Sequence, residues 1–357
     1  MLCAPLGTFL VSRFGYRITI MFGGILSSSG YVLGSFCTSI VQLYICLGFL
    51  SGLGCALCFS PTVVLVGLHF PQRCSMTTGL ALSGNGVGTF MLAPISQMLV
   101  EAYTWRGTLL ILGGLIAHIC ICAAFLRPPP SPPSSPATQP CNSFDGKKSR
   151  EEKADNCCSK FLLWHWNADS PLFCHEFILY VVAITLLAYG CTTPLLFIVT
   201  YAQENGLPDG HSAFLLSIIG ILTIVGNVTY SWLMDSKCLS SYRVHAFAPI
   251  VCLYALPALL LPVSTSYSFL VFCTALFGYC NGASTTVIPI VAAKLVGSKR
   301  AATAISIVYF SHAIPYLIAP PISGWLIRVT NGYTVPFLLS GFAILFSAVI
   351  FQIALCC

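Results

Sequence analysis

The sequence predicts an all-α membrane protein with about eleven transmembrane helices in two lobes. Of its 357 residues, 57% are hydrophobic and 7% are charged, whereas a soluble domain carries about 25% charged residues. The hydrophobic residues form long runs, and a helix needs roughly 20 such residues to cross a bilayer. Continuous runs favour helices, because a membrane barrel would show shorter segments of alternating polarity.

Eleven apolar runs, separated by polar or glycine- and proline-containing turns, define the predicted helices. The first run is short and opens the chain without a charged segment or a small-residue cleavage site, which excludes a signal peptide. We therefore expect a chain that lacks one upstream helix. The predicted spans are 2–12, 18–36, 41–66, 76–100, 108–126, 174–202, 212–234, 246–263, 267–293, 301–327 and 333–355.

Small residues in the fourth span are spaced for close helix packing. Gly79 and Ser83 are four residues apart, and so are Gly84 and Gly88. Residues four apart share one face of a helix, and small side chains let a neighbouring backbone approach in lipid. We expect both pairs to contact another helix.

Basic residues are confined to alternate loops, and this bias predicts the orientation. Arg106 and Arg328 lie on one side, and the other 14 of the 16 basic residues lie on the opposite side. The positive-inside rule makes that second side cytoplasmic. Its basic residues are Arg13, Arg17, Arg73, Arg127, Lys147, Lys148, Arg150, Lys153, Lys160, Lys237, Arg243, Lys294, Lys299 and Arg300.

One long polar segment predicts the domain boundaries. Residues 127–173 are rich in proline, serine and mixed charge, a composition that cannot form a core. We interpret the segment as a cytoplasmic linker, with a PxxP-type docking ligand as the alternative. It separates an N-terminal lobe, 1–126, from a C-terminal lobe, 174–357.

Similar landmarks recur in the two lobes at nearly constant separation, which indicates a duplicated half. The pairs are Ser12 and Asp235, 223 residues apart, Arg73 and Arg300, 227 apart, and Ala93 and Ala319, 226 apart.

The first of these loops resembles a motif of the major facilitator superfamily, G-x-x-x-D-R-x-G-x-R. Arg13, Gly15 and Arg17 match it, whereas Thr8 and Ser12 depart from it. In the second lobe Asp235 matches the acidic position. The resemblance implies a bundle of about eleven of the usual twelve helices, in which Arg13, Arg17, Arg73, Asp235 and Arg300 steady the cytoplasmic ends in addition to signalling topology.

Within that superfamily the chain resembles the monocarboxylate transporters. The shared features are an aromatic pair, a basic residue and a G-x-A-x-x-G run, carried by His69–Phe70, Arg73, Gly79, Ala81 and Gly84. The resemblance implies transport of a small monocarboxylate or a zwitterion such as creatine across the plasma membrane. It also implies a single-pass glycoprotein partner such as basigin. The spans contain no paired carboxylates, Ser–His pair or His-rich metal set, so we expect no enzymatic activity and no cofactor. The 19 cysteines lack metal-ligand spacing, and we interpret most of them as small core residues.

Polar side chains deep in the spans are the candidate substrate ligands. Transporters of this architecture bind near the midplane between lobes, and three pairs four residues apart would share helix faces toward a wet cavity. For any one residue, a hydrogen bond between helices is the alternative role. The candidates are Thr223, Asn227, Asn281, Thr285, His312, Tyr316, Tyr189 and Asn85.

Missing charges bear on the transport mechanism. By resemblance, proton-coupled members carry an Asp and an Arg where this chain has Thr223 and Asn227. No Asp or Glu lies deep in a span, so His118 and His312 are the only candidate proton carriers. We expect transport that is not coupled to protons. The alternatives are proton-linked lactate or pyruvate symport, a non-transporting receptor or interaction protein, and an inactive truncated form.

Overall fold

In the computed structural model the described residues form helices joined by short turns. These residues are 1–70, 73–127, 174–236, 247–263, 266–297 and 300–356. Apart from Arg127, the predicted linker lies outside them. Eight helices in these ranges are long and apolar enough to cross a membrane, and Phe247–Val263 is a shorter apolar helix. In chain order the helices are α1 (Ala4–Ser35), α2 (Ile40–His69), α3 (Cys74–Ala124), α4 (His175–Glu204), α5 (Asp209–Asp235), α6 (Phe247–Leu260), α7 (Tyr267–Val296), α8 (Ala301–Thr330) and α9 (Thr334–Cys356).

Two of these helices each contain two predicted spans. Helix α3 has 51 residues, about 77 Å at 1.5 Å per residue, more than twice the hydrocarbon thickness. Its helical geometry breaks at Thr104, where φ is 61°. Helix α1 breaks in the same way at Gly15, where φ is 82°, a conformation that glycine adopts without a steric penalty. Divided at these breaks, the nine helices of the described residues give eleven helical segments that correspond to the eleven predicted runs, and the first of them, 4–14, is shorter than a full span.

The helices pack into what we call the first bundle, α1–α3, and the second bundle, α4–α9. Large fully buried side chains such as Tyr180, Tyr254 and Phe337 belong to the second bundle. The bundles meet where α3 packs along α5, α8 packs against α1 and α2, and α7 contacts α3. We call the end that carries the Gly15 break and the last residues of α2 the basic end, and the other end, which carries Thr104, the opposite end.

Close packing between the bundles uses one face of α3. A Cβ added at Gly79 would lie 2.7 Å from the Asn227 carbonyl oxygen, and one at Gly86 would lie 2.6 Å from the Gly220 carbonyl oxygen. The expected contact at Gly79 is therefore confirmed. The expectation for Gly84 and Gly88 is wrong, because no described atom lies within 4 Å of a Cβ at either position. These two glycines lie on a different face of the helix from Gly79 and Gly86.

Candidate functional site

A cavity of about 880 Å³ lies between the two bundles. Helices α2, α3, α7 and α8 and the start of the chain contribute its wall, which is mainly apolar. Among the described residues, no acidic or basic side chain other than the His312 imidazole lines it. Its polar side chains are Asn85, Thr285, Tyr309, His312 and Tyr316.

His312 is the titratable imidazole of this wall. Its Nδ1 atom is buried and has no hydrogen-bond partner among the described residues. The ring packs against Tyr316, with centroids 5.2 Å apart and planes tilted by 40°. The Tyr316 hydroxyl lies 3.7 Å from the Cys191 sulfur, so its hydrogen-bonding capacity is only weakly used. His312 therefore contributes to this wall an imidazole whose Nδ1 has no partner among the described residues.

Helices α3 and α7 supply the two remaining predicted wall residues. The Asn85 side chain is exposed and lines the cavity from the first bundle. Thr285 lines it from the second bundle, and its hydroxyl oxygen lies 2.9 Å from the Gly282 carbonyl oxygen and 3.2 Å from Asn227 Oδ1. An amide from one bundle and a hydroxyl from the other therefore face the same space.

Asn227 lies behind this wall, in the contact between α5 and α7. It is fully buried, and its Oδ1 accepts a hydrogen bond of 2.7 Å from the Thr286 hydroxyl. Its Nδ2 has no hydrogen-bond partner among the described residues. Through its contact with Thr285, Asn227 orients a wall residue, so its placement is that of a supporting group behind the cavity.

The structure does not bring the other three predicted residues to the cavity. Thr223 is buried and donates a hydrogen bond of 3.2 Å to the Gly278 carbonyl oxygen. Asn281 accepts a hydrogen bond of 3.0 Å from the Tyr254 hydroxyl. Tyr189 is half-buried on α4 and is absent from the cavity wall. The first two residues join helices of the second bundle, which is the alternative role that the sequence left open.

Sequence reasoning missed an aromatic part of the wall and a distortion in α2. The Tyr309 and Phe59 rings, one from each bundle, both line the cavity and pack edge to face with centroids 5.2 Å apart. Residues Tyr44–Ser51 form a π-helical turn, a rare geometry that occurs often at functional sites, and Gly48 and Phe49 in this turn line the cavity. Nothing in the apolar run 41–66 signals that turn.

Hydroxyl groups close the bundles together on the basic side of the cavity. The Ser306 hydroxyl of the second bundle is hydrogen-bonded to the Thr8 hydroxyl of the first and lies 3.4 Å from the Ser60 hydroxyl. Thr8 occupies the position of the first glycine in the superfamily motif, so its hydroxyl supplies a contact between the bundles that a glycine cannot make.

A carboxylate joins the bundles at the basic end. Asp235, the last residue of α5, accepts a hydrogen bond of 2.9 Å from the Met76 backbone N–H. That N–H is in the first turn of α3, where backbone donors lack helical partners and the helix dipole favours an anion. Asp235 thus caps a helix of the other bundle.

The predicted basic residues have varied surroundings. Arg13, Arg17 and Arg73 are exposed, and the Arg13 guanidinium lies 5.9 Å from the centre of the Phe9 ring. Arg300 is half-buried and immediately precedes α8. In the described ranges no group of three or more His, Cys, Asp or Glu side chains is arranged to hold a metal ion.

Comparisons with known proteins agree with this architecture. The family model described as Major Facilitator Superfamily matches residues 1–240 and 178–355. The chain is 41% identical to monocarboxylate transporter 12 of Rattus norvegicus, over 99% of the chain and 74% of that protein. It is 40% identical to the Homo sapiens protein of the same name, over 99% of the chain and 70% of that protein. To monocarboxylate transporter 4 of Rattus norvegicus it is 33% identical, over 97% of the chain and 70% of that protein.

Solved structures with the same fold are similar at low sequence identity. A single-residue variant of the E. coli fucose:proton symporter superposes with a TM-score of 0.67 at 14% identity, over 99% of this chain and 87% of that one. The human organic anion transporter MFSD10 superposes with a TM-score of 0.70 at 16% identity, over 98% of this chain and 80% of that one. At these identities the likeness shows the fold.

Proposed function

The chain belongs to the Major Facilitator Superfamily and to its monocarboxylate transporter family, and we propose that it carries creatine or a similar small carboxylate across the plasma membrane by alternating access. It is a multi-pass membrane transporter and not an enzyme. The cavity between the bundles is the proposed binding site. The observation that carries the proposal concerns the polar side chains among the described lining residues. They are amide, hydroxyl and phenol groups and one imidazole, without a carboxylate, ammonium or guanidinium side chain, and they come from both bundles.

The wall chemistry supports a zwitterionic solute. Creatine carries one carboxylate and one guanidinium, so its net charge is zero and no buried counter-charge on the protein is required. His312 supplies a ring nitrogen without a protein partner, and Asn85 and Thr285 supply both donors and acceptors. In the proposal His312 binds the carboxylate, and the amide and hydroxyl oxygens accept from the guanidinium.

The same wall supports transport without proton coupling. A proton-coupled carrier needs a titratable group that the solute reaches, and the described wall has no carboxylate. His312 is the remaining candidate for that role, and proton-linked monocarboxylate symport through His312 is the alternative that the experiment must separate.

Contacts at the basic end support alternating access. Asp235 with the Met76 amide, and Ser306 with Thr8 and Ser60, hold the bundles together on one side of the cavity. In the proposed cycle these contacts separate when the bundles rock toward the opposite arrangement. The linker 127–173 is proposed to lie in the cytoplasm, and a single-pass glycoprotein such as basigin is proposed as an escort to the plasma membrane.

Uptake of labelled creatine and lactate at two external pH values tests the proposal. We expect the expressed chain to take up creatine at rates that an imposed proton gradient changes little. Proton-driven lactate uptake without creatine uptake would overturn both the solute and the mechanism. Surface biotinylation with and without co-expressed basigin tests the escort, whose absence is expected to lower surface abundance.

A matched pair of histidine variants tests the site. Loss of one hydrogen bond to a charged group costs about 1.5–3 kcal/mol, so His312→Ala, which removes the imidazole donor and acceptor, is expected to weaken creatine uptake roughly tenfold or more. His118 is an exposed histidine whose Nδ1 contacts the carbonyl oxygen of Gly114 in its own helix, so His118→Ala is expected to leave uptake unchanged. Equal uptake by the two variants would remove His312 from the site.

A further inference from the structure

Two cysteine sulfurs lie in contact at the opposite end of the first bundle. Cys37 follows α1 in the short turn before α2, and Cys46 lies in the π-helical turn Tyr44–Ser51. Their Sγ atoms are 3.8 Å apart. A disulfide requires about 2.05 Å, so closure needs about 1.8 Å of relative movement, which side-chain rotation can supply. The two positions are nine residues apart, and Cys37 lies outside the helix that contains Cys46.

The backbone around these sulfurs is tightly held. A Cβ added at Gly30 would lie 2.7 Å from the Cys46 carbonyl oxygen and 2.8 Å from the Ser51 backbone nitrogen, so α1 and the π-helical turn are in backbone contact. The Arg106 guanidinium donates a hydrogen bond of 3.3 Å to the Cys37 carbonyl oxygen. Packing on one side and this hydrogen bond on the other keep the two thiols facing each other.

The charge distribution indicates which compartment these thiols face. They lie at the end of the bundle that carries only Arg106 and Arg328 of the 16 basic residues. By the positive-inside rule this end is outside the cytoplasm, in the compartment where disulfides form and persist. The inference shares this topology with the proposed function but does not depend on the solute.

We propose that Cys37 and Cys46 form a disulfide in the mature transporter, and that this bond fixes the π-helical part of the cavity wall. The oxidant is a disulfide donor, R–S–S–R, of the secretory pathway. The Cys46 thiolate attacks one donor sulfur, which forms a mixed disulfide and releases RSH. The Cys37 thiolate then attacks the Cys46 sulfur and releases the second RSH, so two protons and two electrons pass from the cysteines to the donor.

The environments of the two thiols fit this order of attack. Cys37 is 6% exposed, whereas Cys46 is only half-buried and is therefore the sulfur that a donor reaches first. Desolvation, and then its hydrogen bond with Cys46, raises the pKa of the Cys37 thiol. A thiol that is largely protonated is a poor first nucleophile, and as the second nucleophile it is already in place beside its target.

The bond would act on the substrate cavity through the π-helical turn. Gly48 and Phe49 of this turn line the cavity, two and three residues after Cys46. Tying Cys46 to the end of α1 restricts movement of this part of the wall relative to the bundle. Reduction leaves the turn held by packing alone, so solute binding is expected to become weaker.

Differential alkylation of the full chain at the cell surface tests the bond without any variant. Free thiols are blocked under denaturing conditions with one maleimide, the sample is reduced, and newly exposed thiols receive a maleimide of different mass. Peptide mass spectrometry is expected to find Cys37 and Cys46 carrying the second label and joined to each other in the unreduced digest. Cys122, exposed near the basic end of α3, is the control and is expected to carry the first label. First-label modification of both Cys37 and Cys46, or a link from either to another chain, would overturn the proposal.

Creatine uptake with a membrane-impermeant phosphine reductant tests the effect on the cavity. Reduction is expected to lower uptake by wild-type protein at least about twofold, and to leave a Cys37→Ser/Cys46→Ser double variant unchanged. Wild-type uptake that reduction does not alter would overturn the link to the cavity wall. If creatine is not carried at all, the proposed function fails, but the alkylation result still decides whether the disulfide exists.

Discussion

Replacing Gly79 by alanine is expected to disrupt the contact between α3 and α5. The added Cβ would lie 2.6 Å from the Ser231 Cβ and 2.7 Å from the Asn227 carbonyl oxygen, and it would overlap the Ser231 hydroxyl. The hydroxyl can rotate away, but it is hydrogen-bonded to that same carbonyl, and the carbonyl moves only if α5 moves. Helix α5 must therefore shift away from α3.

The magnitude follows from two opposing effects. Forcing an extra methyl group into a packed contact costs typically about 1–3 kcal/mol, whereas alanine is favoured over glycine inside a helix by about 1 kcal/mol. Gly84→Ala is the matched control, since it has the helical gain on the same helix and no described atom within 4 Å of its new Cβ. The two variants should therefore differ by about 1–3 kcal/mol in the stability of this conformation.

Thermal unfolding of the detergent-solubilised transporter measures this difference. At about 2.1 cal/mol/K of unfolding entropy per residue, a chain of 357 residues shifts its unfolding midpoint by about 1.3 °C for each kcal/mol. Gly79→Ala is therefore expected to unfold about 1–4 °C below Gly84→Ala. Its uptake rate is also expected to fall, because the bundles can no longer close at this contact. Equal unfolding midpoints and equal uptake would refute the assignment of Gly79 to a close contact between the bundles.

Two further predictions concern the ends of the bundles. Asp235→Asn removes the negative charge from the cap on the Met76 amide, and we expect this to cost about 1 kcal/mol. The population with a closed basic end is then expected to fall about fivefold relative to the open one. Unchanged labelling of the basic end by a thiol reagent would contradict this prediction. At the opposite end, Tyr333 donates a hydrogen bond of 2.5 Å to Glu204, and desolvation, then this bond and the nearby carboxylate, raises the Tyr333 pKa to about 12. The unfolded chain loses the Tyr333 proton at lower pH than the folded protein does. The stabilisation that the Tyr333–Glu204 hydrogen bond contributes is therefore complete below about pH 10 and is lost toward pH 12. A Tyr333→Phe variant whose stability falls as steeply as that of the wild type between pH 10 and 12 would refute the assignment.

The sequence determined the number of spans and their approximate positions. Length and hydrophobicity are local properties, and the bilayer imposes one length on each span, so the eleven runs were identifiable one at a time. The same argument located the polar residues inside the spans and showed that Asp and Glu are missing from their interiors. It also separated Arg106 and Arg328 from the other basic residues, on which the proposed orientation depends.

The tertiary structure decided which faces of those helices meet. In a membrane helix the face toward lipid and the face toward a neighbour are both apolar, so hydrophobic periodicity does not distinguish them. For this reason the spacing of Gly84 and Gly88 resembled that of a contact as closely as the spacing of Gly79 and Ser83 did, although of these three glycines only Gly79 packs against α5. The same ambiguity placed Thr223 with the candidate ligands, whereas the structure places it in a contact between helices.

The cavity itself is also a product of tertiary structure. Asn85 comes from α3 of the first bundle, and Thr285 and His312 come from α7 and α8 of the second, so their convergence depends on how the two bundles pack. The π-helical turn at Tyr44–Ser51 and the contact between Cys37 and Cys46 depend on the same packing, because a run of apolar residues fits regular and distorted helices equally well. The sequence therefore determined what enters the membrane, whereas packing between helices determined which side chains face one another there.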